Sequence, residues 1–283
     1  MAEFVEIVEV GPRDGLQNEP RAIPVAEKVA LVDALSEVGF RRIEAASFVS
    51  PKWVPQMAGS AEVLAGIRRV PGVRYAALTP NLRGFEDALA ARADEVAVFA
   101  SASEEFSRAN INASIAESLE RFAPVMAAAR EAGVPVRGYV SCVTDCPYDG
   151  PVEPGAVARV TEALFGMGCF EVSLGDTIGR GLPERVDAML TAVLGVASPG
   201  QLAGHFHDTS GRALENVGVA LARGLRVFDA AVAGLGGCPY APGAAGNVAT
   251  GALAEFLAAA GFRHGLDMEA LARAADMARR MRG

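Results

Sequence analysis

The feature that most constrains the fold of this chain is a regular alternation of short strand-like runs with longer helix-like segments. Runs rich in β-branched and aromatic residues predict strands at 5–10, 42–46, 74–78, 95–99, 136–143, 170–174, 202–206 and 227–232. Segments rich in Ala, Leu, Glu and Arg predict helices at 25–38, 61–67, 83–91, 115–132, 154–167, 183–194, 212–222 and 247–260, with a further amphipathic helix at 268–281. Eight strand–helix units are the number that closes a parallel barrel.

Glycines mark several of the turns between these units. Gly39, Gly133 and Gly168 each follow a predicted helix and precede the next strand, a position that glycine favours at helix C-termini. A doubly wound open sheet shows the same alternation, so periodicity alone leaves that fold open. Barrels of about 250 residues fold as single units, and no low-complexity linker interrupts this chain. We therefore predict an α/β fold in which residues 1–283 form one (β/α)8 TIM-barrel domain with an additional C-terminal helix.

The composition narrows the possible classes of function. Hydrophobic residues make up 51% of the chain, enough for a large core, but no apolar stretch reaches the roughly 18 residues of a membrane span. The net charge of −8 argues against a nucleic-acid partner, which needs a concentrated basic patch. With no export signal visible, we expect a cytoplasmic protein whose four cysteines are free thiols. Cys142 and Cys146 lack the second pair that a structural zinc site requires.

Polar residues collect just after four of the predicted strands. Strand 1 runs into Gly-Pro-Arg-Asp-Gly-Leu-Gln, which begins at Gly11, and strand 2 carries Glu44. Strand 7 ends in His-Phe-His-Asp from His205, and a glycine-rich segment with Cys238 follows strand 8. Because the active site of a βα barrel lies at the C-terminal ends of its strands, we expect these clusters to converge.

The pair His205 and His207 is the clearest indication of chemistry. Two residues apart on a strand, both imidazoles face the same side, and neutral imidazole is a common ligand of divalent metals. The alternative is a pair of structural histidines in a polar rim. The chain has only three histidines, and His264, near the last helix, is interpreted as a surface residue. We therefore favour a metal site.

Two oxygen ligands are available beside this pair. Asp14 would add a carboxylate and Asn247 an amide oxygen, and a mixed nitrogen–oxygen set with open positions suits Mg²⁺ or Mn²⁺ better than a closed zinc site. Taken singly, Asp14 is equally compatible with a turn residue, and Asn247 with a helix N-cap.

Three other residues near these ligands have candidate roles. Arg13 is suited to stabilise an oxyanion, or to hold Asp14 or Glu44 in an ion pair. For Glu44, structural support and acid–base work remain equally open. Cys238, between Gly237 and Pro239, is a candidate proton donor, whereas Cys169 is interpreted as core.

Several stretches closely resemble the hydroxymethylglutaryl-CoA (HMG-CoA) lyases, from about Val8 to Ala260. They are GPRDGLQN from Gly11, SFVSPKWVPQM from Ser47, SASEEFSRANINASIAESLERF from Ser101, GYVSCVTDCPYDG from Gly138, SLGDTIG from Ser173, HFHDT from His205 and AVAGLGGCPYAPGAAGNVAT from Ala231. The segment around Cys238 is specific to the lyases, whereas the related aldol-type synthases share only the Arg-Asp start and the His-x-His pair.

This resemblance implies a metal-dependent enzyme that cleaves HMG-CoA into acetyl-CoA and acetoacetate, as in leucine degradation and ketone body formation. The implied metal ligands are Asp14, His205, His207 and Asn247; the catalytic residues are Arg13, Asp14, Glu44, His205 and Cys238; and the substrate-binding residues are Arg13 and Gln17. The expected partner is an acyl-CoA, and the expected assembly is a homo-oligomer. No mitochondrial leader is visible before strand 1, which fits a bacterial-type cytosolic enzyme.

Four other functions are compatible with parts of this pattern. A lyase for longer 3-hydroxy-3-alkylglutaryl-CoA esters, as in acyclic terpene breakdown, would use the same ligands. A condensing synthase is disfavoured because the large C-terminal regulatory region of those enzymes is missing. A metallohydrolase often has its His-x-His on the first barrel strand, whereas this pair is on the seventh. A non-catalytic scaffold would not need the intact ligand set.

Overall fold

A closed barrel of eight parallel strands is present in the computed structural model, which describes residues 2–237 and 246–282. The barrel strands are β1 (Glu6–Glu9), β2 (Arg42–Ser47), β3 (Arg74–Leu78), β4 (Glu95–Ser101), β5 (Val136–Ser141), β8 (Glu171–Asp176), β9 (Leu202–Phe206) and β10 (Val227–Ala230), and a small hairpin, β6 (Asp145–Cys146) and β7 (Gly150–Pro151), lies outside it. The eight barrel strands follow the order β1-β10-β9-β8-β5-β4-β3-β2, and β1 pairs with both β10 and β2. The prediction of a TIM barrel is confirmed, and the doubly wound alternative is wrong.

Helices surround the barrel and bury one apolar face each. They are α1 (Val25–Ser36), α2 (Ser60–Gly66), α3 (Leu82–Ala90), α4 (Glu104–Ile111), α5 (Ile115–Ala132), α6 (Pro154–Met167), α7 (Pro183–Val193), α8 (Ala213–Ala222), α9 (Thr250–Ala259) and α10 (Met268–Met281). On α1, for example, Leu31 and Leu35 lie one turn apart and are both fully buried. The longest helix, α5, begins with a Ser114–Glu117 capping box and ends at Gly133, whose positive φ of 68° suits glycine.

Three local predictions were wrong. Helix α4 was missed, because its sequence EEFSRANI has too few apolar residues to show a helical period, although Ser103 caps it. The hairpin β6–β7 lies between the strand predicted at 136–143 and the helix predicted at 154–167, where no strand is predicted, since each of its strands has only two residues. The helix predicted at 247–260 begins at Thr250, because the backbone of Asn247 pairs with His207 and that of Ala249 pairs with Ala231.

The N-terminal end of the barrel interior is filled by charged residues instead of apolar ones. This floor cluster consists of Glu6, Arg42, Glu95, Arg137 and Glu171. The guanidinium of Arg42 bonds both oxygens of Glu171 at 2.8 and 3.2 Å and also reaches Glu6 at 2.8 Å. Arg137 shares Glu171 at 2.7 Å. Buried charges are stable only when paired in this way, and the cluster closes the lower end of the barrel.

The helices of the described residues, 2–237 and 246–282, include none with the length and apolar character needed to cross a membrane.

Candidate active site

The C-terminal ends of the strands surround an open cavity of about 1240 Å³. Its lining includes five of the residues singled out in the sequence: Arg13, Asp14, Gln17, His205 and His207. They lie in two distant parts of the sequence, 13–17 and 205–207, and closure of the parallel barrel brings them together. The predicted convergence at this rim is therefore confirmed for these five side chains.

A tight π-helical turn, Gly11–Gly15, positions Arg13 and Asp14 directly after β1. The carbonyl of Val10 accepts hydrogen bonds from the amides of Arg13, Asp14 and Gly15 at 3.2, 2.8 and 3.2 Å. Such single π turns are rare and occur frequently at functional sites. The turn interpretation of Asp14 is thus correct as local structure, and it does not exclude a ligand role.

The two histidines lie close together with one nitrogen of each facing the other. Nε2 of His205 is 3.2 Å from Nε2 of His207, and each of these atoms is 3.8 Å from Oδ2 of Asp14. The other nitrogen of His205, Nδ1, lies 3.0 Å from Oδ2 of Asp229. A buried carboxylate next to Nδ1 fixes the imidazole tautomer that has its proton on Nδ1, and this leaves a lone pair on Nε2.

The electrostatics of this group favour positive charge. Burial alone would lower the pKa of His205, but the hydrogen bond and charge of Asp229 raise it above its ordinary value. Burial would likewise raise the pKa of Asp229, yet the charge of Arg137 and the hydrogen bond with His205 hold it well below its usual range. A negative environment that raises the pKa of an imidazole also favours a metal cation in place of the proton.

This donor set fits a divalent metal ion. One atom each from Asp14, His205 and His207 lies within 4.8 Å of the others. Two imidazole lone pairs at such a short separation repel each other unless a proton or a cation lies between them. Nδ1 of His207 is buried and has no hydrogen-bond partner among the described residues, so no second carboxylate fixes that ring. We call Asp14, His205 and His207 the metal triad.

Asn247 lies beside the triad, although not as a helix cap. Its backbone pairs with His207, and its amide nitrogen donates to Oδ2 of Asp14 at 2.8 Å. The N-cap of α9 is Ala249, so the alternative interpretation of Asn247 is wrong. The amide group is therefore next to both a candidate histidine ligand and the candidate carboxylate.

Arg13 bridges two carboxylates at the mouth of the barrel. It reaches Oδ1 of Asp14 at 2.7 Å and Oε2 of Glu44 at 2.6 Å, and its guanidinium lies over the ring of Tyr139 at 5.6 Å. The ion-pair interpretation of Arg13 is thus correct for both partners. Burial raises the pKa of Glu44 even though the charge of Arg13 opposes the shift. Oε1 of Glu44 has no partner among the described residues.

Two buried carboxylates at the rim were missed in the sequence. Asp229 orients His205, and Asp176 accepts from Thr144 and from the amide of Gly181, both at 2.9 Å. Burial raises the pKa of Asp176. Asp176 ends β8, so a search for polar residues at every strand end would have found it. Asp229 lies inside a predicted strand, where a lone acid among apolar residues was the available signal.

The cysteines fall into two groups. Cys142, Cys146 and Cys169 are free and buried. Burial raises the pKa of Cys169 to about 12, in agreement with its interpretation as core. Cys238 lies outside the described residues, so its predicted role stays a prediction.

Comparisons with known proteins agree with this geometry. The HMGL-like family matches residues 4–278. The chain is 60% identical over 267 residues to the 3-hydroxy-3-isohexenylglutaryl-CoA/hydroxymethylglutaryl-CoA lyase of Pseudomonas aeruginosa, covering 94% of this chain and 89% of that protein. It superimposes on the HMG-CoA lyase of Brucella melitensis with a TM-score of 0.98 at 63% identity, covering 99% of each chain. An HMG-CoA lyase of Acinetobacter baumannii in complex with coenzyme A and 3-methylmalate gives a TM-score of 0.93 at 37% identity, covering 98% of this chain and 91% of that one.

Proposed function

The chain belongs to the HMGL-like family, and from this membership we propose that it cleaves HMG-CoA into acetyl-CoA and acetoacetate with the help of a divalent cation. The observation that carries the proposal is the metal triad at the rim, directly beside Arg13 and inside a cavity of about 1240 Å³. The similar lyase that binds coenzyme A supports an acyl-CoA substrate.

The metal would be held by Asp14, His205, His207 and the amide oxygen of Asn247, and Mg²⁺ or Mn²⁺ suits this ligand set. When bound, such an ion acts as a Lewis acid on oxygen atoms of the substrate. Asp229 holds the ring of His205 through Nδ1, so that Nε2 stays directed at the other two members of the triad, Asp14 and His207. The amide nitrogen of Asn247 donates to Oδ2 of Asp14, and a flip of this amide would turn its oxygen toward the same group.

The reaction is a retro-Claisen cleavage. The hydroxyl on C3 of the substrate loses its proton to a base near Asp14 and His205, and the C3 carbonyl forms as the C2–C3 bond breaks. The electron pair of that bond passes to the acetyl-CoA fragment as an enolate. Arg13 stabilises the enolate oxygen, because its guanidinium is buried at the mouth and already held in place by Asp14 and Glu44. A proton on C2 then completes acetyl-CoA.

We assign that last proton to Cys238 and substrate contact to Gln17, which lines the cavity. Cys238→Ser should slow turnover on the order of a hundredfold, because a hydroxyl is a much weaker acid than a thiol. Iodoacetamide should label Cys238 first, since Cys142, Cys146 and Cys169 are buried, and substrate should protect it. Normal turnover of the serine variant would remove the thiol from the mechanism.

The decisive experiment is an assay of the purified chain with HMG-CoA, with and without added Mg²⁺ or Mn²⁺, in which acetoacetate and acetyl-CoA are both measured. A longer 3-hydroxy-3-alkylglutaryl-CoA ester is assayed in parallel, because the Pseudomonas aeruginosa relative is named for two such esters. We expect HMG-CoA to be cleaved with the higher kcat/KM. Cleavage of the longer ester alone would replace the proposed substrate.

We further propose that the chain works in the cytoplasm as a homo-oligomer. Cell fractionation tests the first statement and light scattering the second.

A further inference from the structure

Glu9 is an acidic residue that the proposed reaction does not use; it is fully buried at the end of β1, and burial raises the pKa of its carboxyl to about 7. Its Oε1 accepts hydrogen bonds from the amides of Gly11 and Val232, both at 2.8 Å. Its Oε2 accepts from the hydroxyl of Thr250 at 2.7 Å. A buried carboxylate is costly unless its oxygens are bonded, and here every donor comes from a different segment.

Those three segments all lead to site residues. Gly11 begins the turn that carries Arg13 and Asp14. Val232 lies just before, and Thr250 just after, the stretch that includes Asn247 and Cys238. One carboxylate therefore ties the metal-ligand turn to both ends of residues 232–250.

The packing around these segments leaves no room for a side chain at three of their glycines. A Cβ at Gly11 would lie 2.5 Å from Oε1 of Glu9, and a Cβ at Gly15 would lie 2.7 Å from Cβ of Leu235. A Cβ at Gly246 would clash with the carbonyl carbon of Gly236, so the backbones of these two residues, both within residues 232–250, lie in contact. The turn and both ends of residues 232–250 thus form one closely packed unit around Glu9.

We propose that Glu9 is a positioning residue, which holds the Arg13–Asp14 turn and the two ends of residues 232–250 in the register that the reaction requires. Glu9 does not touch substrate; it acts through Gly11, Val232 and Thr250. The kinetic part of this proposal rests on the lyase activity proposed above.

The primary test is Thr250→Val, which keeps the shape of the side chain and removes its hydrogen bond to Glu9. We expect kcat to fall on the order of tenfold, with KM changed by less than about twofold, because the groups held in place act on the reacting atoms. Thr250→Ser keeps the hydroxyl and should keep kcat. Thr161→Val on α6 is the matched control: Thr161 is also fully buried, and its hydroxyl has no partner among the described residues.

Substitutions of Glu9 separate charge from hydrogen bonding. In Glu9→Gln the amide oxygen still accepts from Gly11 and Val232, and the amide NH₂ donates to Thr250, whose hydroxyl then accepts. We expect Glu9→Gln to keep most of kcat. The double variant Glu9→Gln, Thr250→Val places that NH₂ against a methyl group and should lose more kcat than the two single variants combined.

Amide hydrogen exchange tests the same positioning without any assay of activity. In Glu9→Ala the amides of Gly11 and Val232 lose their acceptor, and their exchange should accelerate at least about tenfold, while that of β5 is unchanged. If Glu9→Ala does not fold, exchange is measured in Glu9→Leu, which fills more of the space and also removes the acceptor of both amides.

The proposal is overturned if Thr250→Val keeps wild-type kcat, if Thr161→Val lowers kcat as much, or if exchange at Gly11 and Val232 does not change. An inactive wild-type chain would refute the proposed function alone, because the exchange experiment still decides whether Glu9 positions these segments.

Discussion

The two ends of the barrel interior both bury charge, but they satisfy it differently. In the floor cluster, arginine is matched to carboxylate in paired contacts, as between Arg42 and both oxygens of Glu171. At the rim, two imidazole nitrogens and a carboxylate oxygen lie within 4.8 Å of one another. The floor pairs most of its charges within the chain, although Oε2 of Glu95 has no hydrogen-bond partner among the described residues, whereas the rim brings together the donor atoms of the proposed cation site.

Arg137 and Asp229 connect these two ends. Arg137 contacts Glu171 of the floor at 2.7 Å and Asp229 at 2.8 Å, and Asp229 in turn contacts His205. The floor therefore fixes the orientation of one ligand of the triad, although it contains no ligand itself. Buried charge alone therefore does not identify a functional site; at the rim, the convergence of two imidazole nitrogens and a carboxylate oxygen is what indicates one.

The largest effect is expected when the rim loses its cation. EDTA should abolish turnover, and Mg²⁺ or Mn²⁺ should restore it, because the proposed ligands hold a hard cation reversibly. Asp14→Asn should lower kcat about a thousandfold and reduce bound metal, as measured by elemental analysis. Asp187→Asn, at an exposed ion pair with Arg223, is the control and should change neither quantity. Full activity of a metal-free chain would contradict the proposal that the rim, unlike the floor, requires a cation.

The next effect tests the floor, where stability and not chemistry should suffer. Arg42→Met removes the contact to Glu6 and leaves Glu171 with Arg137 alone, and it should lower the free energy of unfolding by about 3–5 kcal/mol, the cost of breaking a buried ion pair. Urea denaturation measures this change. The turnover of the folded molecules should stay within about twofold of wild type. If turnover falls while stability does not, the floor takes part in the reaction and the comparison fails.

Most of the rim residues were predictable from the sequence, whereas the floor cluster was not. The motifs after the strands identified Arg13, Asp14, His205 and His207, because chemistry in a βα barrel collects at the strand ends. The floor was not predicted at all: Arg42 begins a predicted strand, and a charged residue there looks like the exposed end of a strand. Only closure of the barrel brings it together with Glu171, which is 129 residues away.

The assignment of partners was also beyond the sequence. Arg13 was predicted to act on an oxyanion or to hold a carboxylate, and the sequence offered no reason to choose between Asp14 and Glu44. The structure has both contacts at once, since the turn after β1 faces β2. Asp229 was missed for a related reason. Its role is to orient His205, and that role depends on a 3.0 Å contact with Nδ1 of His205, which joins two different strands.

A smaller effect is expected at Arg13. This rim residue is paired with Asp14 and Glu44, and it is also proposed to contact the substrate. Arg13→Gln should lower kcat about a hundredfold with a smaller change in KM, because negative charge develops on the enolate oxygen only as the C2–C3 bond breaks. Arg13→Lys keeps the charge but loses the paired contacts to Asp14 and Glu44, so it should recover only part of kcat. A large rise in KM at unchanged kcat would instead make Arg13 a substrate clamp.

The smallest effect lies at Ser173, on the link between floor and rim. Its hydroxyl donates to Oδ2 of Asp229 at 2.7 Å, the same oxygen that faces Nδ1 of His205. In Ser173→Ala, Arg137 still holds the other oxygen of Asp229, so the carboxylate stays in place with one contact fewer. We expect a loss of about 1–2 kcal/mol in stability and a roughly fivefold to tenfold weaker affinity for the metal. Ser107→Ala is the control, because Ser107 is also buried and its hydroxyl has no partner among the described residues. Titration of the metal-free chain with Mn²⁺ measures the affinity. If both variants bind metal like wild type, the orientation of His205 does not depend on this hydrogen bond, and Arg137 alone connects the floor to the rim.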